Sequence, residues 1–118
     1  MKATVVWDGF YAAYMTGEEG QGFAMFIFSN GNIAGADPLG VRFDGSFEVT
    51  NEGTLCAKIV VKVPPDGMVV QGASPGPSGL SYGVSFDLSH DQASDYFQIS
   101  TPLGPVNVRL EKLRAIGG

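Results

Sequence analysis

At 118 residues the chain reads as a single domain over positions 1–118, long enough to bury roughly two-thirds of its unfolded surface without disulfide or metal. A hydrophobic share of 44% argues against disorder, and a formal charge of -5 argues against direct nucleic-acid binding, which needs a basic face. Seventeen glycines and seven prolines suit short strands joined by turns, and the lone cysteine, Cys56, allows no internal disulfide and fits a reducing compartment.

The opening residues carry no signal-peptide pattern, and no apolar run reaches the length of a membrane helix. A cytoplasmic protein without membrane association is the expectation.

Strands are expected near Asp8 to Thr16 and Gln21 to Ser29, and both are unusual. Positions 10–15 (FYAAYM) and 23–28 (FAMFIF) are apolar on both faces, whereas a half-solvated strand alternates. One row must face a core and the other needs cover. A second subunit on Phe23, Met25, Phe26, Ile27 and Phe28 would make this a homodimer interface. The loop ASPGPSG (73–79) or the chain ends are the other covers, and the sequence does not say which row is inside.

Asn30-Gly31 supplies the two positive-φ residues of a tight hairpin turn. A short strand follows, ending at Gly35-Ala36-Asp37. Val41, Phe43, Phe47 and Val49 then share one face, against Arg42, Asp44, Ser46, Glu48 and Thr50 on the other. After the turn at Asn51-Glu52-Gly53, Leu55, Ala57, Ile59, Val61 and Val63 form the next inward row. Pro64-Pro65 stops that strand, because proline cannot donate to a ladder. Positions 68–71 are a short strand or a turn.

Leu80, Tyr82, Val84, Phe86 and Leu88 alternate with small polar residues, and the polar segment 89–95 is a turn or a brief helix. The last strands are expected at Tyr96 to Thr101 and Val106 to Leu113. About eight antiparallel strands in hairpin succession predict an all-β fold, an up-and-down barrel, with a β-sandwich as the alternative.

Several of these segments together resemble a known family. They are Asp8-Gly9-Phe10-Tyr11, Gly20-Gln21-Gly22, the run from Asn30-Gly31 through Gly35 to Asp37, and Phe43-Asp44-Gly45-Ser46-Phe47. In this order they look like the GrlR-like family, named for a negative regulator of type III secretion. The resemblance implies a lipocalin-like barrel that dimerises, holds an apolar molecule and binds a transcription regulator through an acidic loop. Its structural motif falls on Gly9, Gly22, Asn30, Gly31, Gly35, Asp37 and Gly45. The sequence departs from the family at Ala36, where a second glycine stands, and at positions 48–53, which lack a run of acids.

Chemistry-bearing residues are few. Asp37, before Pro38, is placed to accept backbone N–H groups and pin a corner. His90, in Ser89-His90-Asp91, reads as a solvated turn residue, because neighbours in a turn do not converge as a triad. Cys56 falls on the outer face. No nucleophile elbow, phosphate loop, metal cluster or dinucleotide fingerprint is present, so neither an enzyme nor a cofactor is expected.

The inward set Phe43, Phe47, Ile59, Val61, Tyr82, Val84 and Phe86 either fills the barrel or lines a site for a small apolar ligand with one polar end. The leading expectation is a dimeric protein-binding module. A ligand carrier or sensor is the second.

Overall fold

A computed structural model describes residues 7–18, 20–65, 76–89 and 95–116. Eight strands follow in order: β1 (Gly9–Gly17), β2 (Gly20–Ser29), β3 (Asn32–Ala36), β4 (Arg42–Val49), β5 (Leu55–Val63), β6 (Leu80–Leu88), β7 (Phe97–Ile99) and β8 (Val106–Arg114). A 3-10 turn, Gly76–Ser78, precedes β6. The segment 68–71, expected as a short strand or a turn, positions 73–75 of the 73–79 loop, and His90 lie outside the described residues.

All strands join one antiparallel sheet in the order β6-β5-β4-β3-β2-β1-β8-β7. The sheet curls into a nearly closed up-and-down barrel, which excludes the two-sheet sandwich. Closure runs through β1 and β8, which pair from Phe10↔Arg114 to Thr16↔Asn107. A seam remains between β6 and β7, where no ladder forms among the described residues. Phe86 and Phe97 meet across it.

Local chemistry sets the register. Asn30 and Gly31 have φ of 51° and 81°, the left-handed pair that joins strands by a two-residue turn, so Ser29 faces Asn32. At Gly45 two backbones come so close that a Cβ would lie 2.1 Å from the Lys58 carbonyl oxygen, so β4 and β5 approach as only glycine permits. The alternating rows of β5 and β6 face inward as expected: Leu55, Ala57, Ile59, Val61 and Val63 are all buried. Val49 differs from expectation and is exposed. The β3–β4 ladder ends at Ser46, so no strand flanks it on that side.

The doubly apolar strands resolve by pairing. In β2, Ala24, Phe26 and Phe28 point inward and Phe23, Met25 and Ile27 point outward. Phe26 and Phe28 are therefore core residues and not part of an interface. Their rings stack on Phe43 at 4.9 Å and on Tyr11 at 4.8 Å. Burying a ring of this size contributes roughly 1.5–3 kcal/mol, and the inward choice places two of them against aromatic side chains of β4 and β1.

Candidate functional site: an apolar cavity in the barrel

The two ends of the barrel differ. One end is closed by Trp7, Ile33, Leu55 and Leu88, all buried. The Trp7 indole N–H donates to the Gly53 carbonyl at 3.0 Å, and the Tyr11 hydroxyl donates to the Trp7 carbonyl at 2.5 Å. Burial, with the nearby Asp8 charge as a smaller cause, pushes the Tyr11 hydroxyl up to about 12. The phenol thus stays protonated and holds the plug to the wall.

Toward the other end the packing opens into a cavity of about 420 Å³, within the roughly 300–1,000 Å³ of small-molecule pockets. Six of the seven inward residues named from the sequence line it: Phe43, Ile59, Val61, Tyr82, Val84 and Phe86. The seventh, Phe47, is buried below it and packs on Phe28 with ring centroids 5.4 Å apart.

Sequence reasoning missed the contribution of the other wall. Met15, Phe26, Phe28, Phe97, Val108 and Leu110 are among the lining residues of that wall. For β1 and β2 the alternation was ambiguous. For β7 the strand is only three residues long, too short to show a period.

Exposed Gln21, Pro38 and Leu39 and half-buried Asp37 form the mouth. Gln21 stands on β2, and Asp37, Pro38 and Leu39 belong to the β3–β4 loop. Leu39 is 68% exposed. The loop is held by Asp37, whose Oδ1 accepts from the Leu39 and Val41 backbone N–H groups at 2.9 Å each. The Asp37 N–H in turn donates to the Val41 carbonyl at 3.0 Å. On the opposite rim the Thr101 hydroxyl donates to the Gly104 carbonyl at 2.6 Å and accepts from the Leu103 N–H at 3.1 Å. Polar groups thus gather at the rim while apolar side chains make the walls.

The remaining family-like glycines are spread over the barrel. Gly9 pairs with Phe28 near the closed end, Gly22 lies at the mouth, and Gly35 sits under the Phe26 ring.

On the outside, Phe10, Ala12 and Tyr14 of β1 pair with Ile27, Met25 and Phe23 of β2. Phe23, Met25 and Ile27 are 37%, 41% and 43% exposed, which makes a continuous apolar face. Tyr14 stacks on Phe23 at 5.5 Å, and the Arg109 guanidinium lies 4.7 Å over the Tyr14 ring and borders the face on the β8 side.

Cys56 lies on the outer wall beside its cross-strand partner Asp87. A hydrogen bond to Asp87 raises its pKa, with desolvation and the charges of Asp87 and Glu48 acting in the same direction. These neighbours disfavour the thiolate. Among the described residues no three His, Cys, Asp or Glu side chains gather as a metal site, and no helix is long and apolar enough to cross a membrane. Comparison with protein families, with curated proteins and with solved structures finds no match to this chain.

Proposed function

We propose that this protein is a non-enzymatic barrel that binds a small apolar molecule in its interior, as a carrier or sensor. The observation that carries the reading is the 420 Å³ cavity, walled by apolar and aromatic side chains and rimmed by a few polar groups. A barrel of eight strands has room for one small ligand when its inward side chains leave the space unfilled.

Native mass spectrometry of protein purified gently from its own host tests this. A small stoichiometric added mass that is lost on organic extraction is the expected result. Failure of the extracted protein to take up the neutral apolar dye Nile red would overturn it.

A second reading concerns the outer face, which favours a protein contact. Three exposed large apolar side chains side by side, next to Tyr14 and Phe10, form a patch that solvent does not favour. We infer that two copies of the chain meet there, with the GrlR-like resemblance as additional support. The resemblance also underlies the reading of a regulator that acts in the cytoplasm. A protein that sediments as a monomer at micromolar concentration would argue against the pairing.

A further inference from the structure

Resting on the cavity reading, we infer that the bound molecule carries a cationic amine, or failing a charge a hydrogen-bond donor, at its polar end, and that Asp37 selects it. Among the described residues that line the cavity there is no Lys, Arg or His. Polar side chains in the lining are Gln21, Asp37, Tyr82 and Thr101, and Asp37 is the one carboxylate among them. A carboxylate or phosphate entering the mouth would therefore lose water without meeting a counter-charge, and would face a like charge.

Asp37 is also fixed in position. Its Oδ1 is held by two backbone N–H groups, while Oδ2 has no hydrogen bond or ion pair with a described residue. One acceptor anchors the loop and the other is left for a donor at the mouth. The Thr101 hydroxyl, in contrast, is occupied by its own turn. Rejection of acids is thus built in by the charge of one rim residue, and the apolar walls fix the body of the ligand.

The test displaces Nile red from the whole chain with decylamine, decanol and decanoate at neutral pH and low salt. Decylamine should compete at a concentration about tenfold or more below decanoate, with decanol between them. Asp37→Asn keeps an Oδ1 for both backbone N–H groups and should bring the amine and the acid within about twofold. Asp44→Asn, on the outer face, changes net charge equally and should leave the ratio as it was. Salt raised from about 20 mM to about 500 mM should shrink the ratio in the unaltered protein, a readout independent of any variant.

Equal or tighter binding of decanoate while Nile red still binds overturns the inference and leaves the cavity reading standing. So does an Asp44→Asn variant that loses the preference as fully as Asp37→Asn. Failure of Nile red itself to bind overturns both.

Discussion

Phe86 and Phe97 face each other across the seam with ring centroids 5.4 Å apart and planes inclined by 35°. Their strands share no ladder, so at this place side chains and not backbone hydrogen bonds bring the wall together. Both rings also line the cavity. The contact that completes the barrel is therefore also part of the cavity wall.

The coupling of this pair is measurable. In a double-mutant cycle by urea unfolding, Phe86→Ala and Phe97→Ala should each cost about 1–3 kcal/mol, since both rings are half-buried. They should share a coupling of about 1 kcal/mol. Strict additivity would show that the two strands do not depend on each other.

Filling the cavity should separate binding from folding. Val84 lines the space from the middle of β6. Val84→Phe should weaken Nile red binding at least about tenfold and change stability by less than about 1.5 kcal/mol, because the added atoms enter empty space. Unimpaired dye binding would place the dye elsewhere.

Neighbouring positions of β2 should respond oppositely to the same substitution. Ile27→Lys should keep the fold and shift sedimentation from dimer to monomer, since Ile27 is 43% exposed. Phe28→Lys should unfold the chain, because it buries a charge at a position 1% exposed. A folded Phe28→Lys protein would mean that the register of β2 is shifted by one.

Tyr11 predicts a stability loss at high pH. Its pKa is raised from an ordinary value of 10.0 to about 12, so between those values the folded chain holds a proton that the unfolded chain has released. Its contribution is complete below pH 10 and disappears as pH rises through 12, by about 3 kcal/mol. Tyr11→Phe should be less stable at neutral pH by about 1 kcal/mol through the lost bond to the Trp7 carbonyl. Its unfolding free energy should fall less steeply over that range. Equal slopes for the two proteins would contradict the assignment.

Where one row of a strand was apolar and the other polar, the sequence determined the inside. The rows of β5 and β6 were legible for that reason, and with them five lining residues, to which Phe43 of β4 adds a sixth. Asn30-Gly31 announced its turn because few residues tolerate two successive positive φ values. The faces of β1 and β2 were not legible, since an apolar side chain at every position leaves period two without contrast. Phe26 and Phe28 were drawn into an expected interface on that account, whereas Phe23, Met25 and Ile27 are the exposed ones. The cavity depends on how rings from opposite walls share space, which no single strand encodes.

The strand order also constrains when the barrel can form. β1 has β2 on one side, available as soon as the first hairpin is made, and β8 on the other. Its second ladder matches Phe10 with Arg114, far apart in sequence. Pairings that distant in sequence are slow to find, because a long loop must close before any contact rewards it. During synthesis β1 keeps a bare edge until β8 has left the ribosome, and the barrel is most exposed to mispairing while it waits.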